Sequence, residues 1–539
     1  MNTHEAHHRL LLIVFAVFAI QIPCKAAPLP ATHVEQTGKP LEGAAAPGIV
    51  VLANEPDGKA GLLLDFDLES VTESVTPEAR LQLGEVERLK VQRPGQQSSP
   101  ERDVMMVFYE SGGQSKLAGS LPTKAGGTIN SYTIEVTRAV NATLSKPAGQ
   151  RKLRLELRLE GKPVFFEVYG VSDGTLKPPV TLEIAPSKGW TDDWEKRLEP
   201  VSNASRVYKE SCLPMIDSRD KEVALNLLYP AKKIIEVSHP ASGEIYEEGR
   251  DWVLRDGKLI LPVGTRVPIQ IESEFFTEEK KDKDGNVKTI HGTIRLVPGT
   301  WYHDRQIAVS YEPAARDWSF APPISTLDQM PRLKKMLAAK KPVKVVLFGD
   351  SISAGGDCSA LHFVPPYQPN FGELVTRKLE KHYGSEIIFI NPSRGGATSE
   401  YAAKQAEAQV AWFKPDLAIV AYGMNDRADK RIGSYRANME SILDTIRAKS
   451  PETEFLVVTP MLNSPKQPGG NEPVKTIRDE ALKISRPGTA FADITTSELD
   501  MLKRKDYLDL SGNGANHPND FLHRIYAQRI LEVLIPPKK

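Results

Sequence analysis

After about residue 330, five apolar runs alternate with amphipathic stretches. The runs are "VKVVLFG", "EIIFIN", "LAIVAYG", "FLVVTP" and "TAFADIT". Between and after them stand "NFGELVTRKLEKHYG", "SEYAAKQAEAQVAWF", "GSYRANMESILDTIRAK", "PVKTIRDEALKI" and "NDFLHRIYAQRILEVL", each with apolar residues at helical spacing. A continuously apolar strand must be covered on both faces, and the intervening helices supply the covers, so the pattern predicts a parallel sheet with helices on either side. Five strands suit a doubly wound, flavodoxin-like order, in which ligands bind beyond the carboxyl ends of the strands.

Polar clusters stand at those ends. The first run ends in Gly349–Asp350–Ser351, "SRGGATS" (393–399) follows the second, "GMND" (423–426) the third, and "NHPND" (516–520) follows the fifth. Taken singly, each reads as loop chemistry: Ser351 as a turn or capping residue, Asn425 as a residue that bonds its own loop. Four clusters in this order converge on one edge of the sheet. A serine there becomes a nucleophile only if a base removes its proton, and a neutral imidazole does so near pH 7.

This arrangement resembles the SGNH superfamily, the GDSL-type esterases and lipases, over about 335–539. The resemblance implies that Ser351 in "GDSIS" is the nucleophile and His517 in "NHP" the base. It implies an oxyanion hole from the Ser351 N–H, the Gly396 N–H (Gly395 is the neighbouring alternative) and the Asn425 amide, with no cofactor and no metal. Each fixed donor would be worth roughly 3 kcal/mol of transition-state stabilisation. The setting of Ser351 in "GDSIS" differs from the "GxSxG" elbow of another hydrolase class. His362, in the long loop after Ser351, is an alternative base or substrate contact; His382 and His523 read as surface or packing residues.

The family usually places an Asp three residues before the histidine, and here that position is Gly514. The expectation is therefore a Ser–His dyad, with Asn513 or a backbone carbonyl orienting the ring. Asp509 is a more distant option, and Asp520 reads as the cap of the last helix.

The rest of the chain is β-rich. Over 47–185 short alternating runs separated by turn residues predict strands throughout and a β-sandwich, with Leu153, Leu155, Leu157 and Leu159 inward. "LLLDFDLESV", "PEARLQL" and "YTIEVTRAVN" resemble the DNRLRE-type carbohydrate-binding sandwiches. Residues 186–325 read as a second β-rich accessory domain with no chemistry of its own. Its charged tip carries Asp282, Asp284 and Asn286, but their spacing does not match an EF-hand calcium loop, and a solvated hairpin is expected. Residues 27–46 read as a linker. The start of the chain has the layout of a secretory signal peptide, with a titratable head, an apolar stretch from Leu10 to Ile22, and small residues at Ala26 and Ala27. Cleavage there would leave Cys212 and Cys358, expected as free thiols.

Lys plus Arg and Asp plus Glu both number 69, which argues against a nucleic-acid binder. No other stretch is long and apolar enough for a membrane span. The expected fold class is multidomain: two amino-terminal β-rich domains, then an α/β flavodoxin-like SGNH domain over 326–539 with a five-stranded parallel sheet. The expected protein is a secreted or periplasmic esterase acting on an esterified carbohydrate, such as an acetylated polysaccharide. A lipid esterase, a thioesterase, an acyltransferase and a non-catalytic polysaccharide-binding protein are the rivals. The oligomeric state is not legible.

Overall fold

The five apolar runs form one parallel sheet. Its strands are β1 (Val343–Gly349), β2 (Ile387–Ile390), β3 (Leu417–Ala421), β4 (Glu454–Val458) and β5 (Thr489–Ala492), in the spatial order β2-β1-β3-β4-β5. The register sets Val346 beside Ile390 and Gly349 beside Ala421. Successive side chains alternate between faces. Val345 and Leu347 share a core with the helices Phe371–Tyr383 and Asp520–Leu534. Val346 and Phe348 share another with Ser399–Gln409, Asp429–Lys449 and Glu472–Leu482.

The computed structural model describes residues 194–535 except 219, 282–286, 293–294, 317–319 and 468. Upstream it describes 29–30, 33–37, 49–55, 58–71, 79–83, 86–88, 104–111, 114–122, 132–160, 164–169 and 181–184. The signal-peptide layout and the tip residues Asp282, Asp284 and Asn286 lie outside the described residues. The strands flanking that tip, Thr277–Lys281 and Val287–His291, do pair as an antiparallel hairpin. No helix among the described residues is long and apolar enough to cross a membrane.

Among the described residues, the amino-terminal region forms antiparallel sheets, one of four strands and one of eight. Leu153, Leu155 and Leu157 are buried on its strand Lys152–Glu160, as the alternation predicts. Two expectations are corrected. Thr137–Leu144 is a helix rather than strand, because Ala139, Val140, Thr143 and Leu144 fall on one buried helical face. Within the supposed linker, His33–Thr37 is a strand, its backbone pairing with Gly61–Asp65.

The second β-rich segment carries an antiparallel sheet in the order Val207–Cys212, Ile307–Pro313, Ala231–Ser238, Ile245–Tyr246. Its main apolar cluster is shared: Val207, Val309 and Tyr311 belong to the same core as Leu347 and Ile525. A buried polar knot joins the two parts. Lys505 Nζ lies 3.0 Å from Glu210 Oε1 and 3.2 Å from Asp509 Oδ2, and Tyr311 Oη donates to Glu210 Oε2 at 2.7 Å. Cys212 and Cys358 are buried thiols, not bonded to each other.

Candidate active site

β1 ends where its chain has no room for a side chain. A Cβ at Gly349 would stand 2.1 Å from Ser353 Oγ and 2.7 Å from Ala421 O, so only glycine lets the strand turn there and present Ser351. The turn after β2 is stitched to the same spot, since Gly349 N donates to Ser393 Oγ (3.0 Å) and Arg394 N to Gly349 O (3.0 Å). This brings Gly395 alongside the serine: a Cβ on it would lie 3.9 Å from Ser351 Cβ. Gly396 follows with φ +73° and open space before it, a conformation that suits glycine. The end of β3 holds this loop from the other side. Asn425 Nδ2 donates to Ala397 O at 3.0 Å, and the buried Asp426 carboxylate takes Ser399 N and, at 2.6 Å, Ser399 Oγ. Burial pushes the Asp426 carboxyl above the usual range.

His517 reaches the serine from the loop before the last helix. Its Nε2 lies 2.8 Å from Ser351 Oγ, and its Nδ1 lies 2.7 Å from Asp357 Oδ2. A carboxylate only accepts, so Nδ1 carries the proton and Nε2 offers its lone pair to the serine hydroxyl. Gly356 makes this approach possible, because a Cβ there would stand 2.9 Å from both His517 Nδ1 and Ser351 O. The loop itself is organised by Asn513, whose Oδ1 accepts from the backbone of Ala515, Asn516 and His517 at 2.9, 2.9 and 3.1 Å.

The expectation of a dyad is therefore corrected: a carboxylate stands behind the histidine, and it is Asp357. Position 514 is closed to one. Gly514 has φ +78°, and a Cβ on it would fall 1.9 Å from Tyr302 Oη and 2.2 Å from Arg295 O. Asn513 holds backbone rather than the imidazole. Asp509 is engaged by Leu213 N (2.7 Å) and Lys505. Asp520 is not the helix cap; Asn519 is, its Oδ1 accepting from Leu522 N at 3.1 Å, while Asp520 Oδ1 takes Ser359 N at 2.8 Å. His362 does not meet the serine. Its Nε2 lies 3.2 Å from Asp357 Oδ1. His523 is a packing residue, stacked on Phe371, with burial pushing it down to about 4.

Asp357 stands six residues after Ser351 in "SISAGGD", a visible signal once the acid is sought on the serine's own loop. The missed partner with no sequence signal is Gly299, whose N–H donates to Asp357 Oδ1 at 2.9 Å. It belongs to the segment expected to carry no chemistry of its own, and it contributes a backbone donor to the Asp357 carboxylate. Burial would raise the Asp357 carboxyl, but hydrogen bonds from His362, His517 and Gly299 outweigh it and hold it at about 2. Asp350, next to the serine, goes the other way, pushed up to about 7 by burial.

The model of the GDSL-like lipase/acylhydrolase family matches residues 347–525, which span all four clusters. Residues 347–525 are a GDSL-like lipase/acylhydrolase domain. Solved structures similar to this acylhydrolase domain include a mutant of an acetyl-xylooligosaccharide esterase from Geobacillus stearothermophilus, 19% identical, covering 35% of this chain and 93% of that one at a TM-score of 0.31. Another is a two-domain esterase active on acetylated mannans, 17% identical, covering 39% and 54% at 0.32. A lipase from a goat rumen metagenome is 13% identical, covering 35% and 97% at 0.30. No curated protein matches the chain.

Proposed function

We propose that this protein is a serine esterase that transfers an acyl group from its substrate to Ser351 and then to water. The observation that carries this reading is the unbroken chain Asp357–His517–Ser351, with contacts of 2.7 and 2.8 Å. In the first step Ser351 Oγ attacks the ester carbonyl while His517 Nε2 takes its proton. The same imidazolium then protonates the leaving alkoxide. Water attacks the acyl-enzyme with His517 again as base, and Ser351 leaves as the alcohol. Asp357 keeps the imidazole in the Nδ1–H tautomer and offsets its charge when protonated. The oxyanion would be met by the N–H groups of Ser351 and Gly396 and by the Asn425 amide, with Gly395 as the alternative donor.

For the substrate, the reading is an esterified carbohydrate, with acetyl the first group to test. Its support is the export layout of residues 1–26 and the resemblance of the amino-terminal region to carbohydrate-binding sandwiches, which also argue for a secreted or periplasmic protein. The rival of a degenerate, non-catalytic domain rested on the missing acid at 514, and Asp357 removes that ground. Labelling with a fluorophosphonate probe tests the chemistry: the native protein should label and Ser351→Ala should not. Acetate release from a panel of acetylated polysaccharides tests the substrate. A native protein that neither labels nor releases acid from any ester ends the reading.

A further inference from the structure

Three donors from three places converge on the Asp357 carboxylate. Oδ2 takes His517 Nδ1, while Oδ1 takes Gly299 N at 2.9 Å and His362 Nε2 at 3.2 Å. Held by Oδ2 alone, the carboxylate could turn about its Cβ–Cγ bond. Two donors on Oδ1 fix its plane, and with it the direction of the histidine bond.

Gly299 lies on the stretch 295–302 of the second β-rich segment, which also grips the histidine loop. Val297 N donates to Asn513 O at 3.1 Å, and Tyr302 Oη, donating to Arg295 O at 2.6 Å, fills the place a side chain at 514 would need. The loop carrying His362 is strapped by the same segment and by the amino-terminal region. His303 Nε2 lies 2.6 Å from Pro365 O, and Arg80 Nη1 donates to Leu361 O at 3.0 Å while its guanidinium lies over Phe363. Asp520 ties the loop down elsewhere, through Ser359 N and Gln368 Nε2.

We propose that His362 is a positioning residue for Asp357 and that the stretch 295–302 forms the other half of the acid's seat, so that catalysis at Ser351 depends on the second β-rich segment. This rests on the esterase reading above. The segment that closed position 514 to an acid is the one that now orients the acid at 357. Neither His362 nor Gly299 contacts the serine, so their loss should misalign the imidazole without weakening substrate binding.

The test uses the full chain and p-nitrophenyl acetate. His362→Leu should lower kcat about 10–50-fold with KM within about twofold, a size suited to lost orientation rather than a lost base. His362→Gln, whose amide N–H can stand near the Nε2 position, should recover most of that loss. Gly299→Ala, strained at φ +94°, should lower kcat in the same KM-independent way. Melting temperatures check that each variant is folded. If His362→Leu melts early, His362→Phe keeps the ring and lacks the donor, and carries the same expectation. Native kcat in the donor-less variants, a KM that rises as kcat falls, or a His362→Gln no better than His362→Leu overturns the proposal while leaving the esterase reading intact. A native Ser351 that takes no fluorophosphonate overturns both.

Discussion

Asp357 and Asp350 sit on one loop and respond to pH in opposite directions. The Asp357 carboxyl stands at about 2 in the folded protein, below the ~3.9 of an unfolded chain. It contributes stability that is complete above about pH 4 and is lost as pH falls through about 2, an effect on the order of 2–3 kcal/mol. The melting-temperature advantage of the native protein over Asp357→Asn should therefore shrink between about pH 5 and pH 2; an unchanged gap over that range contradicts the assignment. Asp350, at about 7, keeps a proton that the unfolded chain has already released. Stability should fall as pH rises from about 4 to about 7, and Asp350→Asn should flatten that fall. Gly514 gives a third residue-scale prediction. Tyr302 is fully buried and cannot step aside, so Gly514→Ala should cost at least about 2 kcal/mol in denaturant unfolding through the clash and the positive φ.

The last helix shows how one residue can serve as cap and joint together. Asn519 Oδ1 caps Asp520–Leu534, while its Nδ2 donates to Asp509 O (2.7 Å), Ser211 Oγ (3.0 Å) and Gln306 Oε1 (3.1 Å). A cap alone is worth about 1 kcal/mol, and the buried acceptors left behind add to it. Asn519→Ala should thus lose about 2–4 kcal/mol, read from the urea midpoint at unchanged slope. Sequence placed the cap one residue late because Asp and Asn are equally good caps, and only the contact with Ser359 N decides that Asp520 turns elsewhere. The helix Thr137–Leu144 was hidden for a related reason. Its Thr and Val residues favour strands, and it follows directly on the strand Tyr132–Glu135.

At the scale of the molecule, the β-rich segment and the acylhydrolase domain share a core and a buried charge cluster. Lys505 has no exposed side-chain surface, and Glu210, its partner across the junction, has none either. Lys505→Met would leave Glu210 and Asp509 buried without their counter-charge, and should cost about 3–5 kcal/mol, measured by thermal or denaturant unfolding. Loss of the pair should also reach the site, because Asp509 and Asn519 flank the His517 loop. The amino-terminal region docks separately: Arg138 Nη1 donates to Ile387 O at the start of β2, and Lys116 Nζ lies 3.2 Å from Glu386 Oε1.

The sequence by itself determined the parallel sheet, the boundaries of four of its five strands to within two residues (the last run, 489–495, outlasts its strand by three), and the convergence of Ser351, Gly395, Gly396, Asn425 and His517 on one edge. Those features are local: an apolar run is buried wherever it pairs, and a loop at the end of a strand goes where the strand puts it. Only the tertiary structure decided which carboxylate stands behind His517. That choice depends on Tyr302 and Arg295, about two hundred residues before Gly514 in the chain, filling the expected position, and on Gly299 and His362 holding Asp357 in its place. Contacts between segments so far apart in sequence leave no periodicity to read. A carboxylate's role is set by its neighbours in space, and these are fixed only when the β-rich segment and the acylhydrolase domain close over one core.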